Sequence, residues 1–361
     1  MTLSQLKSHI LPCEASVKDA LDAINSLSGG KMILFVTDCD ETVLGALSGG
    51  DIRRALLRGV SVNDNVQLAI NRNFTALDAD SNPAEVVTEG KRRHLHLIPV
   101  IREGKLIDII DLDSLMALLP IDAVLMAGGK GERLRPLTLT TPKPLLKVGG
   151  KPIIDRNVER LEKYGIKNIF VTVNYLGHLL EEHFEERNAA TPAHYSVVRC
   201  VREPKRLGTL GSLALVEGLK NDTVLVMNSD LLTSIDFEKM WRHHRSTGAD
   251  LTVGTVPYTV SVPYAIMRTD GTRILGLEEK PTYNYFANGG VYMMKRELLA
   301  DIPRGEYLDA PDFIESLIGR GRRVESFPIE GRWIDIGSPD DFRTANELLA
   351  SSVAACPDRK N

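Results

Sequence analysis

Short apolar runs flank a polar turn twice in the first third of the chain, 63 residues apart. The turns lie at 38–41 and 102–105, and each unit predicts a β-hairpin. Apolar positions at helical spacing predict a helix before each hairpin, at 16–27 and 83–90, and one after each, at 51–58 and 113–119. This repetition indicates an internal duplication.

From residue 121 onward, longer apolar runs alternate with helical patterns. Strands are predicted at 123–126, 169–173, 224–227 and 251–256, with a helix at 152–163. Such alternation is typical of βαβ units, so we expect an α/β fold with a Rossmann-like, mixed or largely parallel sheet covered by helices. The pattern predicts two domains, 1–118 and 119–350, and a flexible polar tail over 351–361.

Composition narrows the function classes. Hydrophobic residues make up 43% and charged residues 25%, as in an ordinary globular protein. The net charge of −4 excludes a polybasic binder of nucleic acid, so local basic groups must capture any anionic ligand. The cysteines form no CxxC pair, and neither a signal peptide nor an apolar run of the ~20 residues that cross a bilayer is evident. We therefore expect a cytoplasmic protein without a membrane partner.

The duplicated first third resembles tandem cystathionine-β-synthase-type (CBS) repeats, an α+β Bateman module, with repeats at about 8–62 and 67–118. In that family a Gly-x-x-Thr/Ser-x-x-Asp run binds an adenine nucleotide, and the first repeat carries it as Gly45, Ser48 and Asp51. The second repeat exchanges acid and hydroxyl, and an acid beside a phosphate is repulsive. The resemblance implies either one adenine-nucleotide site or a module that only holds subunits together, and it favours a homodimer.

A glycine-rich loop follows the strand at 123–126, in the order Ala127, Gly128, Gly129, Lys130, Gly131. Glycine permits backbone geometries that turn successive N–H groups toward one point, which makes an anion cradle. The segment 130–147 adds basic side chains against one acid, Glu132, and so suits a triphosphate. It is neither a Walker A loop nor a dinucleotide fingerprint. Prolines on both sides of Lys143 fix the backbone there for a phosphate contact.

Two acids are candidate metal ligands. Asp230 follows the strand at 224–227, and ligands gather at the carboxyl ends of strands in open α/β sheets. Asp335 lies in an apolar run far downstream. Taken alone, each acid is also typical of a capping or turn residue. Together with a phosphate loop, they predict a Mg²⁺ site completed by substrate phosphate oxygens.

These motifs, in this order, resemble the sugar nucleotidylyltransferase (sugar-nucleotide pyrophosphorylase) family over essentially all of 121–350. The resemblance implies that the glycine-rich loop and Arg133 hold the triphosphate, Lys143 the α-phosphate, and Asp230 with Asp335 the Mg²⁺.

The same resemblance implies that Glu279 and Asn288 contact the sugar and that Lys280 contacts its phosphate. In isolation, the Glu–Lys pair also reads as a solvated turn. Two positions depart from the family: Glu132 stands where Thr or Ser is frequent, and Ala265 stands where Gly is common. The second departure bears on the sugar contacts.

Glu203 is the candidate reader of the base. It precedes Leu207, Gly208 and Thr209, a Leu-Gly-Thr element that the resemblance places beneath the base. Uridylyl- and thymidylyltransferases of the family carry Gln at this place, whose amide both donates and accepts. A carboxylate only accepts, and guanine offers adjacent N1–H and N2–H₂ donors. The residues favour GTP, with a uridylyl- or thymidylyltransferase as the alternative.

The implied reaction joins GTP and a sugar 1-phosphate to give a GDP-sugar and pyrophosphate. Since a phosphate monoester has a second pKa near 6, its oxygen attacks without a general base, and catalysis is positioning and charge neutralisation. The CBS fusion resembles guanylyltransferases of bacterial legionaminic-acid pathways, which favours glucosamine 1-phosphate, with mannose 1-phosphate next. Another alternative is an adenine-nucleotide-sensing regulator with an inactive transferase domain, which the presence of Lys143, Asp230 and Asp335 disfavours.

Overall fold

The computed structural model of the chain describes residues 3–27, 31–79, 83–190 and 196–354. Its Cα positions divide into two units, one formed by Met1–Leu118 with Ala189–Tyr195 and a larger one formed by Leu119–Asn188 with Ser196–Asn361. Among the helices of the described ranges, none is long and apolar enough to cross a membrane.

The first unit contains two three-stranded sheets of the same design. Its elements are α1 (Leu3–Ser8), β1 (Ile10–Pro12), α2 (Val17–Ser26), β2 (Ile33–Thr37), β3 (Val43–Ser48), α3 (Gly49–Leu57), β4 (Leu77–Asp78), α4 (Pro83–Arg92), β5 (Leu97–Arg102) and β6 (Lys105–Asp111). The sheet orders are β1-β2-β3 and β4-β5-β6. In both sheets the first two strands are parallel and are connected through a helix, α2 or α4, and the last two strands form an antiparallel hairpin.

The two sheets match in register as well as in order. The hairpin register shifts directly after Val36 in the first sheet and directly after Val100 in the second. These equivalent residues are 64 positions apart, one more than the sequence predicts for this strand, whereas their partners Gly45 and Asp108 keep the spacing of 63. The extra position therefore lies in the turn of the first hairpin, between Val36 and Gly45.

Equivalent residues of the two hairpins also pair with each other. Thr42 and Lys105, 63 positions apart, form an antiparallel bridge. Two matching hydrogen bonds flank it, from Val43 N to Gly104 O (3.0 Å) and from Leu106 N to Glu41 O (3.3 Å). Pairing of like with like indicates an approximate two-fold relation between the halves of this unit.

The helix predicted at 113–119 is wrong. The chain after β6 forms a turn, in which Asp111 Oδ1 accepts the amides of Asp113 (3.0 Å) and Ser114 (3.2 Å), and then runs without regular structure. Lys91 Nζ on α4 binds the carbonyl of Leu115 at 2.7 Å, an oxygen that a helix would use itself. The other three predicted helices are confirmed as α2, α3 and α4, with ends shifted by one or two residues.

The residues of the expected adenine-nucleotide run have local structural partners. Ser48 and Asp51 form a capping box at the start of α3, with Ser48 N donating to Asp51 Oδ2 at 2.8 Å and Asp51 N to Ser48 Oγ at 3.3 Å. Asp51 also pairs with Arg54. A Cβ on Gly45 would lie 2.9 Å from the carbonyl oxygen of Asn71, so the glycine allows a close backbone approach.

The second unit is built on a seven-stranded sheet. Its strands are β7 (Asp122–Ala127), β8 (Lys147–Val148), β9 (Lys151–Pro152), β10 (Asn168–Val173), β11 (Val197–Arg202), β12 (Thr223–Asn228), β13 (Leu231–Thr233), β14 (Leu251–Ser261), β15 (Ile266–Asp270), β16 (Arg273–Glu278), β17 (Thr282–Lys295), β18 (Val324–Pro328) and β19 (Trp333–Asp335). Its helices are α5 (Ile153–Lys163), α6 (Gly177–Ala190), α7 (Phe237–Thr247), α8 (Ala310–Gly319) and α9 (Pro339–Ala354).

The sheet is mixed, in the order β11-β10-β7-β12-β17-β14-β18. The first four strands are parallel, and β17 is antiparallel to both of its neighbours. All four predicted strands are confirmed, as parts of β7, β10, β12 and β14, and most of their residues are buried. Phe313 and Leu317 of α8 belong to the core that includes Val224 and Val226 of β12.

The topology directs several loops to one edge. Because β11, β10, β7 and β12 run parallel, the segments that follow them leave the sheet at the same carboxyl edge. The short ladder of β13 and β19 pairs Leu231 with Asp335 and so brings the chain near residue 335 to the loop after β12. This carboxyl edge is where the predicted phosphate loop and both predicted acids lie.

The remaining elements concern an arm and the end of the chain. The strands β14 and β17 stay paired beyond the sheet, out to Ser261 and Thr282, and the β15–β16 hairpin lies between them in sequence. We call this extension, from Pro257 to Phe286, the arm. Helix α9 runs to Ala354, which is inside the predicted tail of 351–361. Residues 355–361 of that tail lie outside the described residues.

Candidate active site

The glycine-rich loop leaves β7 at the carboxyl edge. Gly131 adopts a left-handed φ of +60° and starts a 3₁₀ turn at Glu132–Leu134, and Thr138 Oγ1 donates to its carbonyl at 2.8 Å. Nothing lies within 4 Å of a Cβ built on Gly129, so the backbone there faces open space. Lys130 is exposed, with its ammonium 4.0 Å from Glu132. The loop thus presents both backbone and a cation to solvent.

Lys143 joins both candidate metal ligands. Its side chain is 12% exposed, and its Nζ is hydrogen-bonded to Asp230 Oδ2 and lies 3.7 Å from Asp335 Oδ1. The Arg133 guanidinium packs on Gly337, since a Cβ built there would lie 2.7 Å from its Nη2. Four charged residues predicted from separate motifs therefore meet at one place.

Each acid keeps an unused acceptor. Asp230 Oδ1 and Asp335 Oδ1 are buried and accept no hydrogen bond. Burial, and then the negative charge of Asp230, raises the pKa of Asp335 above its ordinary value, although Lys143 and Arg133 act in the opposite direction. Buried carboxylate oxygens without partners are unfavourable, and a hard cation would satisfy both. No group of three His, Cys, Asp or Glu suited to a metal occurs in the described part of the chain, so two carboxylates could supply only part of a coordination sphere.

Glu203 is buried against the same loop. It follows β11, it is 6% exposed, and its Oε2 accepts the amide of Leu207 at 3.2 Å. Gly128 comes directly after Ala127, the last residue of β7, and a Cβ on this glycine would lie 2.5 Å from Glu203 Oε1. Burial raises the pKa of Glu203, with the Leu207 amide and Arg206 opposing. A carboxylate with spare acceptor capacity therefore lies beside the first glycine of the loop.

Gly208 and Thr209 continue from Glu203 in a closely held segment. Gly208 has a left-handed φ of +79°, and a Cβ there would lie 2.5 Å from Leu308 O. The Thr209 amide donates to Asp309 Oδ1 at 2.9 Å. The predicted base-contact residues are thus on one short stretch of fixed backbone.

The predicted sugar contacts are spread along β17 and the arm. Asn288 lies in the middle of β17, just before Val291, which pairs with Met227 near the carboxyl end of β12, and its Oδ1 accepts the amide of Gly290 at 2.9 Å. Glu279 and Lys280 are exposed and precede the outer end of β17. The six positions from Thr282 to Asn288 span about 20 Å of extended strand. The structure therefore brings Asn288, but not Glu279 or Lys280, toward the other site residues.

Two asparagines at the site were not predicted. Asn174 directly follows β10, and its Cβ would be 3.3 Å from a Cβ on Gly128. It could have been found from the sequence, because it is a polar residue directly after a buried strand, like Asp230. Asn157 on α5 donates its Nδ2 to Ser229 O at 2.9 Å and so supports the loop that carries Asp230. No sequence signal connects these two positions.

A model of the family described as "Nucleotidyl transferase" matches residues 122–352. The chain belongs to the nucleotidyl transferase family. The match covers most of the second unit and begins with the first residue of β7. The mixed α/β fold predicted for this region is therefore confirmed, whereas the match does not extend to the residues before 122.

Similar proteins come from all domains of life. The mannose-1-phosphate guanylyltransferase of Mycobacterium tuberculosis is 32% identical over 250 residues, which are 67% of this chain and 68% of that protein. The mannose-1-phosphate guanyltransferase of Schizosaccharomyces pombe is 31% identical over 242 residues, 64% of this chain and 65% of that protein. A Sulfolobus acidocaldarius protein is 32% identical over 234 residues, and the match covers only 63% of its length.

Among solved structures, HddC from Yersinia pseudotuberculosis superposes with a TM-score of 0.50 at 24% identity. The match covers 63% of this chain and 99% of HddC. At this level of identity the likeness shows that the nucleotidyl transferase fold is shared.

Proposed function

We propose that the protein is a sugar-1-phosphate guanylyltransferase, which transfers GMP from GTP to a sugar 1-phosphate. The observation that carries the proposal is the meeting of Lys143, Asp230 and Asp335 at the carboxyl edge beside an open glycine-rich loop. These charges suit a triphosphate and its counter-ion. The relatives named as mannose-1-phosphate guanylyltransferases support the same activity.

Glu203 supports guanine as the base. A buried carboxylate with one amide partner has desolvated acceptors that a ligand must satisfy. Guanine presents N1–H and N2–H₂ side by side, whereas the carbonyl oxygens of uracil and thymine would meet the carboxylate with like charge. A uridylyl- or thymidylyltransferase stays the alternative that Glu203 disfavours.

Asp230 and Asp335 would hold Mg²⁺. Their unpartnered oxygens and the hard-oxygen donor set fit this ion, which usually takes one or two protein carboxylates and completes its shell with water and substrate phosphate. Bound there, Mg²⁺ would supply positive charge to the phosphates of the nucleotide. Lys143 would then share the two acids with the ion and could turn to the α-phosphate.

The chain's own residues would act by position and charge. An oxygen of the sugar phosphate forms a bond to the α-phosphorus of GTP, and the bond from that phosphorus to the bridging α–β oxygen breaks. The electron pair of the broken bond leaves with pyrophosphate. Arg133 and Lys130 would neutralise the negative charge of this leaving group. The attacking phosphate is largely dianionic at neutral pH, so no residue needs to remove a proton. Gly128, Gly129 and Gly131 would offer backbone amides to the triphosphate, with Gly208 and Thr209 beneath the base.

Two comparisons bear on which sugar 1-phosphate is the acceptor. The names of the relatives favour mannose 1-phosphate, whereas the resemblance of the whole chain to legionaminic-acid guanylyltransferases favours glucosamine 1-phosphate. Asn288 would bind a sugar hydroxyl. Glu279 and Lys280 would reach the sugar and its phosphate only if the arm bends toward the carboxyl edge, since they are placed at its outer end.

We propose that the first unit is a CBS pair and that it forms a homodimer. Its matched sheets, equivalent register shifts and the Thr42–Lys105 bridge support the duplication. An adenine nucleotide at Gly45, Ser48 and Asp51 would have to compete with the capping box that the last two form. The cysteine spacing supports the cytoplasm as the compartment.

The test is pyrophosphate release with Mg²⁺ across GTP, UTP, dTTP, CTP and ATP. Each nucleotide is paired with mannose, glucosamine, glucose and N-acetylglucosamine 1-phosphates, with and without AMP. We expect turnover with GTP and one or two of the first-named acceptors. Turnover with UTP or dTTP instead would refute the role of Glu203 and keep the enzyme class. No turnover with any pair would favour the regulator with an inactive transferase domain.

A further inference from the structure

The segment 207–211 is held by a second segment, 306–310, about a hundred residues further along the chain. Leu308 N donates to Leu207 O at 2.9 Å, and Leu308 O accepts from Leu210 N at 2.9 Å and Gly211 N at 3.2 Å. Built Cβ atoms on Gly208 and Gly211 would each come within 2.5 Å of a carbonyl oxygen of the second segment. The two backbones are therefore in direct contact, without side chains between them.

Asp309 has an unusual role in this contact. It is the N-cap residue of α8, a position where the Asp side chain normally accepts amides of its own helix, yet this side chain makes no such bond. Its Oδ1 accepts Thr209 N (2.9 Å) and Thr209 Oγ1 (3.2 Å), and its Oδ2 accepts Tyr307 OH (2.7 Å). Thr209 Oγ1 in turn accepts the amide of Ala310 at 2.7 Å and so caps α8 in its place.

The N-cap of α7 shows the ordinary arrangement. Asp236 accepts the amides of Glu238 (3.0 Å) and Lys239 (3.1 Å) from its own helix. Both acids therefore begin a helix of the same unit, but the side chain of Asp309 turns away from its helix, with Oδ1 on Thr209 of the 207–211 segment and Oδ2 on Tyr307.

A continuous set of contacts leads from Asp309 to the glycine-rich loop. Asp309 accepts the amide of Thr209. Two residues before Thr209, the amide of Leu207 donates to Glu203 Oε2, and Glu203 in turn lies against Gly128. Burial alone would raise the pKa of Asp309, but the hydrogen bonds from Tyr307 and Thr209 outweigh it and lower the pKa. Asp309 is thus a charged acceptor at neutral pH, and charged acceptors make the stronger hydrogen bonds.

We propose that Asp309 is a positioning residue for the base of the nucleotide, which fixes the backbone of 207–209 through Thr209. The assignment deepens the proposed guanylyltransferase function and rests on it. Asp309 acts on the base through Thr209 and Glu203, without touching the reacting phosphates. Its loss should therefore change the affinity for the nucleotide and the choice of base more than the chemical step.

The experiment compares Asp309→Ala and Asp309→Asn with Asp236→Ala. GTP and UTP binding are measured by calorimetry without acceptor, and kcat and KM are measured with both substrates. Loss of a hydrogen bond to a charged group is worth about a tenfold change or more. We expect Asp309→Ala to raise Kd and KM for GTP about tenfold and to narrow the preference for GTP over UTP, with kcat and the acceptor KM within twofold.

The conservative variant and the control separate positioning from folding. Asp309→Asn keeps an oxygen for the Thr209 amide and should recover most of the GTP affinity. Asp236→Ala removes a true N-cap and should lower the melting temperature with unchanged KM for GTP. A positioning role is wrong if Asp309→Ala lowers the melting temperature but leaves Kd and KM for GTP as in the wild type.

The wild type decides between the two proposals. If it binds and turns over GTP while Asp309→Ala matches it in affinity and base preference, only the role of Asp309 is overturned. If the wild type neither binds nor turns over GTP, the guanylyltransferase function fails, and the positioning role fails with it.

Discussion

A methyl group added at Gly208 should disturb both the fold and the proposed nucleotide site. Gly208 has a φ of +79°, and the new Cβ would lie 2.5 Å from the carbonyl oxygen of Leu308. That oxygen accepts hydrogen bonds from Leu210 and Gly211, so it cannot retreat without weakening them. Gly305 is a matched control, because its φ of +77° is nearly the same and nothing lies within 4 Å of its built Cβ.

The magnitude follows from two separate effects. An alanine in the left-handed region is less stable than glycine by about 1 kcal/mol, and both variants carry this strain. Only Gly208→Ala adds overpacking against backbone, typically about 1–3 kcal/mol. We therefore expect a loss of unfolding free energy of about 1 kcal/mol for Gly305→Ala and about 3 kcal/mol for Gly208→Ala.

Urea unfolding followed by tryptophan fluorescence measures this difference in the right part of the chain. The two tryptophans, Trp241 and Trp333, both belong to the second unit. KM for GTP should rise in Gly208→Ala and stay unchanged in Gly305→Ala. Equal destabilisation by the two variants would refute the reasoning from close approach. A strongly destabilised Gly208→Ala with normal KM for GTP would show that 207–209 does not contact the nucleotide.

Three further changes test the carboxylates. Glu203→Gln should narrow the preference for GTP over UTP at least tenfold in kcat/KM, because an amide also fits uracil, and an unchanged ratio would contradict this. Asp230→Asn should lose Mg²⁺-dependent turnover with the fold intact by circular dichroism, whereas Asp222→Asn, at an exposed acid, should not. Asp335→Asn should raise the urea midpoint of the metal-free protein at neutral pH. The raised pKa of Asp335 means that its ionisation destabilises the fold, so this gain should shrink as pH falls through that pKa and vanish below the unfolded value.

The parts of the fold that the sequence predicts are those with a strong local pattern. The runs at 123–126 and 224–227 are entirely apolar, the run at 169–173 is apolar except for Thr172, and their burial on both faces of a parallel sheet explains why they could be recognised. The helix expected at 113–119 had a helical pattern too, but Lys91 from α4 binds a carbonyl oxygen that the helix needed. A local pattern contains no information about such a distant donor.

The candidate site shows the same limit. Asp230 could be placed at the carboxyl edge because it directly follows a strand. Asp335 is brought beside it by the pairing of Leu231 with Asp335, which no spacing in the sequence indicates. The link between Thr209 and Asp309 is likewise a contact between segments a hundred residues apart, and Asp309 at the start of a helix reads from sequence as an ordinary N-cap.

The three glycines of the loop also have different physical roles, although their sequence suggests one. At position 131 the left-handed φ requires glycine. Gly129 faces open space, so a ligand has room to contact the backbone there. Gly128 is required by Glu203, whose Oε1 occupies the place where a Cβ would be. A side chain at 128 would therefore displace the carboxylate proposed to read the base, even if it left the phosphate cradle unchanged. The proposed phosphate loop and the proposed base-recognition residue thus meet at Gly128, and a larger residue there should alter the preference for GTP over UTP before it alters phosphate binding.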